Sequence, residues 1–182
     1  MPLFSCLSNP APYHVIAFGT LFGSQFFQTF IGGTTAFRAL PRPQFSQLQS
    51  RVFPIYFGIQ SFYPIILLIT HPHFRFLDPL NSITTSPSLY AAIIPIGLGF
   101  LSGLVNSVLI GPKTQAVMRE RKVLEAKEGR RYYETYDGGH SEDMKKVNKK
   151  FAKLHGISSA LNLVSLVAST WYGNQLANRI VF

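Results

Sequence analysis

Several amide, hydroxyl and imidazole side chains stand inside otherwise apolar runs of this sequence. They are His14, Gln25, Gln28, Gln60, Asn106, Ser158 and Asn162. Because polar groups are costly in hydrocarbon, such side chains usually face the interior of a helix bundle. The pattern predicts a polar core with one of two roles, which the residues leave open: interhelical hydrogen bonding that fixes packing, or a path for a solute. The same runs contain no Asp or Glu, which disfavours a carboxylate proton relay.

A group of histidines offers a second, weaker chemistry. His71 and His73 lie in one connector, where His14 and Asp78 could approach them. Nitrogen and oxygen ligands of this kind can form a small transition-metal site. The alternative is that they are interfacial histidines beside a proline, and we favour this alternative. We therefore expect no bound metal.

Catalytic constellations are poorly represented in the chain. It contains no nucleophile–base pairing, P-loop or dinucleotide-binding glycine motif, and its single cysteine, Cys6, excludes an intramolecular disulfide. His155 and Asn162 lie about two helical turns apart and are the best candidates for an unrecognised membrane enzyme. The sequence predicts a protein that is not an enzyme and that needs no cofactor.

Four apolar runs must position these side chains. They cover about residues 13–37, 52–70, 89–110 and 157–176. Each run is long enough to cross about 30 Å of hydrocarbon as a helix. Charged residues make up 14% of the chain, against roughly 25% in soluble domains, so 182 residues leave too little polar surface to bury four such helices. The prediction is an all-α protein with a single transmembrane domain over residues 1–182, built as a four-helix bundle.

Basic residues gather on one side of the predicted membrane. The first connector holds Arg38, Arg42 and Arg51, and the third, residues 113–154, holds twelve Lys or Arg. The opposite side has the other two of the 17 basic residues. By the positive-inside rule, the basic side faces the cytosol and both termini face away. The three arginines are expected to be interfacial anchors that contact anionic lipids, and this clustering argues against a nucleic-acid partner.

The N-terminal region helps to predict which cellular membrane contains the protein. It lacks a basic stretch and a small-residue cleavage site, so the first span is expected to act as an uncleaved signal. No arginine precedes Arg38, which disfavours a matrix-targeting peptide. These features favour the ER or another endomembrane and leave a mitochondrial membrane as the alternative.

The connectors differ in pattern. A short surface helix is expected in the first connector after Pro43, with Phe45 and Leu48 turned toward lipid. The second connector is rich in Pro, Ser and Thr and is expected to be a loop.

The third connector is expected to form a cytosolic helical extension. Its first helix should begin near Pro112 and end at Gly129, and Ser141 should cap a second helix. This second helix has an apolar stripe made of Met144, Val147, Phe151 and Leu154. The stripe predicts an amphipathic helix at the membrane interface that continues into span four, and a solvated charged helix is the alternative.

Two glycine pairs have the spacing that lets membrane helices approach closely. Gly19 and Gly23 lie in span one, and Gly99 and Gly103 lie in span three. They make a homo-oligomer or another membrane-protein partner feasible.

The stretch FRALPRPQFSQLQSRVFPIYF, residues 37–57, resembles the transmembrane protein 205-like family of small four-span proteins, which carry a domain of unknown function. NSVLIGPKTQAVMRER and FAKLHGISSALNL resemble further stretches of that family. The matching positions are His14, Gln25, Asn106, Pro112, Thr114, Met118, Phe151, His155, Gly156, Ser158, Ser159 and Asn162. The resemblance covers nearly the whole chain except about residues 125–141. It implies an integral membrane protein of four spans and supplies neither a reaction nor catalytic residues.

Three classes of function follow from these observations. The favoured one is a non-enzymatic protein of the endomembrane system that acts through partners or in membrane trafficking. The second is a small oligomeric transporter or channel that uses the polar core, and the third is a membrane enzyme.

Overall fold

The computed structural model describes residues 9–179, and these are helical almost throughout. The helices are α1 (Pro10–Ala39), α2 (Arg42–Ile69), the short α3 (Pro79–Thr85), α4 (Pro87–Glu128) and α5 (Glu142–Ala177). In this part of the chain four helices are long and apolar enough to cross a membrane. The prediction of an all-helical protein with four membrane-spanning helices is therefore confirmed. Cys6 lies outside the described residues.

Short polar residues begin three of the long helices. The side chain of Asn9 accepts a hydrogen bond from the backbone N–H of Ala11 at 3.0 Å, and Ser86 and Ser141 cap α4 and α5 in the same way. Such caps satisfy N–H groups that the first turn leaves without a partner. At its other end α4 stops at Gly129, whose φ of 66° is left-handed and favours glycine.

The long helices form a closed ring around one core. α1 packs on α2, α2 on α4, α4 on α5, and α5 on α1. The interior cluster consists of Ala17, Leu21, Leu67, Ala92, Ile96 and Tyr172. On the outside, large apolar side chains such as Phe62, Leu101 and Val167 are exposed, as lipid-facing residues must be.

The glycine pair in α4 brings that helix close to α2. A Cβ added to Gly103 would lie 2.7 Å from the backbone carbon of Gln60, a distance that real side chains do not adopt. Gly19 and Gly23 do not mediate packing between the described helices. A Cβ added at either position would meet no other element within 4 Å, so contact with another chain through this pair stays a prediction.

α4 extends well beyond the bundle at the end where the first connector lies. Its 42 residues at about 1.5 Å each make a helix of roughly 63 Å, about twice the thickness of the hydrocarbon layer. We call Gly111–Glu128 the α4 extension. The end of the molecule formed by this extension, the start of α2 and the start of α5 is called the basic end, and the opposite end is called the far end.

The start of α5 packs on the α4 extension, which corrects one expectation. Met144 and Val147 are buried there, and the Lys150 ammonium lies 3.4 Å from a Glu120 carboxylate oxygen. The apolar stripe of α5 is thus covered by another helix, because the long α4 presents a surface that reaches it. The stripe does not form an interfacial helix on the lipid surface.

Two connectors also differ from expectation. The first shrinks to Leu40 and Pro41, because the expected surface helix is the first part of α2 itself. Phe45 is half-buried against the Phe37 ring, with centroids 5.3 Å apart, whereas Leu48 is exposed as expected. The second connector, expected to be a loop, contains α3.

Two π-helical segments interrupt the spans. Phe27–Gly32 lies within α1 and Asn106–Ile110 lies within α4. In each segment the backbone hydrogen bonds span five residues instead of four, which inserts one extra residue into the helix. The side chains that face the interior therefore change from that point onward.

Candidate functional site

A chain of hydrogen bonds joins three spans near the far end. His14 Nδ1 lies 2.8 Å from the Thr70 hydroxyl oxygen, and His14 Nε2 lies 2.6 Å from the Tyr172 hydroxyl oxygen. The Thr70 hydroxyl donates its own hydrogen to the Ile66 carbonyl at 2.6 Å, so it can only accept from His14. In a neutral ring this assigns the proton to Nδ1 and lets Tyr172 donate to Nε2. His14 therefore ties α1 to both α2 and α5.

Beside this chain, the loop after α2 is held by an arginine from the end of α5. His71 Nε2 lies 3.0 Å from an Arg179 guanidinium nitrogen, and the second Arg179 nitrogen donates to the Ser88 carbonyl at 3.2 Å. Burial and the nearby Arg179 charge lower the pKa of His71 to about 4. The imidazole is consequently neutral near pH 7 and can accept the guanidinium hydrogen bond.

The histidines are arranged for packing rather than for coordination. His71 Nδ1 accepts the backbone N–H of His73 at 3.3 Å, so both ring nitrogens of His71 have partners. The His14 and His71 rings meet edge-on with centroids 6.2 Å apart. Within residues 9–179 there is no group of three or more His, Cys, Asp or Glu side chains that could hold a metal ion.

The middle of the bundle contains two fully buried glutamines. Gln25 of α1 donates to the Ser165 hydroxyl of α5 at 2.8 Å, which joins the two helices directly. Gln60 of α2 donates to the Tyr56 hydroxyl one turn earlier at 2.9 Å, so its bond stays within one helix. Both amides lie inside the bundle and face away from the lipid.

Further polar pairs lie nearer the basic end. Asn106, which is fully buried, donates to the Asn162 side-chain oxygen at 3.2 Å and to the Ser158 carbonyl at 3.3 Å. Gln28 donates to the Gln49 side-chain oxygen at 3.2 Å and joins α1 to α2. The seven predicted polar residues are thus distributed along the bundle, and they form separate pairs rather than one cluster.

A small void lies between the paired spans. A void of about 10 Å³ lies between Leu21, Pro64 and Gly99, which is the volume needed for about one water molecule. The side-chain oxygens of Gln25, Gln60 and Asn106 are buried without a partner among the described residues. Direct hydrogen bonds therefore join facing spans in this core, and three buried acceptors remain without a partner among the described residues.

The three predicted arginine anchors occupy different environments. Arg38 and Arg51 are exposed, as expected of side chains that reach phosphate groups. Arg42 is half-buried, and its guanidinium carbon lies 3.7 Å from the centre of the Phe37 ring. Arg42 thus helps to close the tight connection between α1 and α2.

Comparison with known proteins assigns the chain to a family. The family described as "Domain of unknown function (DUF4149)" matches residues 16–123. The chain belongs to this family. It is also similar to "Xanthocillin biosynthesis cluster protein D" of Aspergillus fumigatus, with 28% identity over 179 residues, 98% of this chain and 96% of that protein. No solved structure matches significantly.

The DUF4149 match covers most of α1, all of α2 and α4 up to the middle of the α4 extension. Several positions that resemble the transmembrane protein 205-like family lie outside the polar core, at the basic end. Thr114 donates to the Ile110 carbonyl at 2.7 Å, directly after the π-helical segment. Pro112 is exposed, as are His155 and Gly156 on α5. The His155 ring stacks on Phe151, with centroids 5.7 Å apart. These positions do not join the polar core.

One feature of this DUF4149 protein is absent from the sequence-based expectations. Arg121 is buried at the basic end, where a cleft of about 530 Å³ opens beside it. Arg121 belongs to the charge-rich helix that the sequence predicts between Pro112 and Gly129, for which no buried side chain was expected. The available signal was the pair Tyr132 and Tyr133 directly after the helix end, since aromatic residues in a basic loop often pack on arginine.

Proposed function

We propose that this protein is a non-enzymatic four-span protein of the endomembrane system, similar to transmembrane protein 205-like proteins, that acts through partners at its basic end. The basic end faces the cytosol and both termini face away from it, and the role lies in membrane trafficking or a related process. The observation that supports the proposal is the direct hydrogen bonding between facing spans, combined with a basic helical projection. Spans tied together in this way favour the projecting end as the surface that meets partners.

The projection is well suited to recognition. The α4 extension and the start of α5 hold each other through buried Met144 and Val147, so they present their outer charges on a rigid support. Rigid helices lose little conformational entropy when they bind a partner. Exposed arginines and lysines at the same end attract anionic lipids. Gly19 and Gly23, on an open face of α1, support contact with a second copy or another membrane protein.

Site-directed crosslinking tests this proposal. In a Cys6→Ser background, Lys127→Cys places one thiol at the basic end, and Leu77→Cys places a matched, exposed thiol at the far end. In sealed microsomes, an impermeant maleimide should label the first position at once and the second only after permeabilisation. A benzophenone maleimide should then give discrete protein adducts at the first position. The reverse labelling order, or adducts only at Leu77→Cys, would contradict the proposal.

The alternative is a small oligomeric transporter or channel that uses the polar core. It is favoured by the unpartnered oxygens of Gln25, Gln60 and Asn106, which could hold water in a more open state. The name of the Aspergillus fumigatus relative links that protein to xanthocillin biosynthesis. In this alternative, the present chain would move a small molecule across the membrane.

A flux assay separates the two functions. Proteoliposomes loaded with glycerol or a small anionic dye should release their contents no faster than protein-free liposomes, because direct hydrogen bonds join the facing spans. Gln25→Leu and Gln60→Leu should then lower the free energy of unfolding by only about 1 kcal/mol each. Release above the protein-free rate that disappears in the folded leucine variants would instead establish transport.

A further inference from the structure

The cleft at the basic end lies where α2 leaves the membrane surface. It has a volume of about 530 Å³ and is bounded by Pro43 and Ser46 of α2 on one side and by the α4 extension and the loop after it on the other. Arg121, Lys122 and Arg131 contribute cationic side chains to its lining. The cleft lies at the end of the apolar bundle, where the predicted spans place the level of the lipid headgroups.

Arg121 is held in a fixed orientation by two aromatic rings. Its guanidinium carbon lies 4.2 Å from the centre of the Tyr132 ring and 4.1 Å from the centre of the Phe151 ring. The side chain is 6% exposed. The two rings pack against the planar guanidinium and restrict its movement, and its N–H donors are the groups that can meet a ligand.

This buried cation has no ion-pair partner among the described residues, and the nearby Glu125 charge offsets only part of its cost. Among residues 9–179 the ion pairs connect Lys145 with Glu142, Lys146 with Asp143, and Lys150 with Glu120. The Nε atom of Arg121 is buried and has no hydrogen-bond partner. A buried charge without a partner is costly, and an anion that binds in the guanidinium plane would remove this cost.

One carboxylate does lie in the cleft, and it has a different partner. Glu125 Oε1 accepts the backbone N–H of Tyr132 at 3.0 Å. This bond folds the loop back over the helix and so brings the Tyr132 ring onto Arg121. Glu125 therefore shapes the cleft by fixing the loop.

The charge balance of the cleft indicates the class of ligand. Arg121, with the exposed Lys122 and Arg131, gives three positive charges against the single negative charge of Glu125. A phosphate monoester carries nearly two negative charges near pH 7 and offers several oxygens for paired hydrogen bonds with arginine. A simple carboxylate would neutralise only half of the excess charge.

We propose that this cleft binds a phosphate monoester, with the edge of Arg121 as the central donor and Lys122 and Arg131 as flanking cations. The phosphate belongs either to a lipid headgroup such as phosphatidate or to a soluble phosphorylated molecule. The proposal deepens the role proposed for the basic end and rests on it.

Calorimetric titration of the full-length protein in neutral detergent micelles tests the site. The two probes are dioctanoyl phosphatidate, for the lipid source, and glycerol 3-phosphate, for the soluble source. Dioctanoyl phosphatidylcholine, a diester without net charge, is the control ligand. At least one of the two monoesters should bind saturably with one site per chain, whereas phosphatidylcholine should not. Preference for phosphatidate assigns a lipid ligand, and comparable or tighter binding of glycerol 3-phosphate assigns a soluble one.

Two matched substitutions identify the residue responsible. Arg121→Gln should raise the dissociation constant at least about tenfold, because it removes a charged, oriented donor. Arg119→Gln removes the same charge from an exposed position on the same helix and should change the constant less than about twofold. If Arg121→Gln fails to fold, the double variant Lys122→Gln with Arg131→Gln, at exposed positions, should still weaken binding several-fold.

Absence of saturable binding of both monoesters would overturn the proposal, as would equal weakening by Arg119→Gln and Arg121→Gln. Binding by the folded double variant with the dissociation constant of the wild type would also overturn the proposal. These outcomes are distinguishable from failure of the proposed function, because crosslinking to protein partners through Lys127→Cys does not require an occupied cleft.

Discussion

Gly103→Ala should separate α2 from α4 and cause a large loss of stability for a single added methyl group. The added Cβ would lie 2.7 Å from the Gln60 backbone carbon and 2.8 Å from its carbonyl oxygen. A backbone cannot move aside as a flexible side chain can, so the two helices must shift apart. Overpacking of this kind costs about 1–3 kcal/mol. The free energy of unfolding, measured by titration with sodium dodecyl sulfate in mixed micelles, should fall by that amount.

Gly97→Ala is the matched control for this prediction. Gly97 lies in the same helix, and nothing within 4 Å would meet an added Cβ there. Alanine is the better helix former by about 1 kcal/mol, so this variant should be neutral or slightly more stable. If the two variants behave alike, the close approach of α4 to α2 does not determine the stability of the bundle.

Much of the fold follows from simple properties of the sequence. Four runs without charged residues, each near 20 residues long, allow hardly any arrangement except membrane-spanning helices. The polar side chains within these runs predict a shared polar core, and the Asn106–Asn162 hydrogen bond between α4 and α5 lies in it. These features depend on helical periodicity, which a single sequence contains in full.

Other features depend on contacts that periodicity does not contain. Gln60 bonds to Tyr56 within its own helix instead of reaching across the bundle, because Gly103 brings the α4 backbone against it. The π-helical segment Asn106–Ile110 inserts one extra residue per turn, and no residue type in it requires this. The sequence predicts a third span and a separate helix from Pro112 to Gly129, whereas the structure joins them in the single helix α4.

The buried Arg121 shows the same limit most clearly. Its environment is made by Phe151, thirty residues later in the chain, and by Tyr132 in a loop that reverses direction at Gly129. A helix that carries many charges normally keeps them in water, so the helical pattern alone does not predict burial of this one, and the signal lies in the Tyr132–Tyr133 pair after the helix. The family match ends at residue 123 and thus includes Arg121 but neither aromatic partner.

His14→Leu is the second substitution with a large expected effect. It removes the hydrogen bonds to Thr70 and Tyr172 and leaves the Tyr172 hydroxyl buried without an acceptor at the junction of α1 and α5. Buried polar groups that lose their partner cost about 1–3 kcal/mol. The free energy of unfolding should therefore fall by about 2 kcal/mol. Tyr13→Phe, which removes a hydroxyl from an exposed position on α1, is the control and should have little effect.

A double-mutant cycle with Tyr172→Phe tests whether the hydrogen bond itself is responsible. In the wild-type background, Tyr172→Phe keeps the ring that packs edge-on against Phe18 but removes the hydroxyl, and should cost about 0.6–1.7 kcal/mol. In the His14→Leu background the hydroxyl is already unpaired, so the same change should be neutral or stabilising. This disappearance of the cost is specific to a direct bond. If Tyr172→Phe costs the same in both backgrounds, the two residues act independently, and the connection of three spans through His14 does not hold the bundle together.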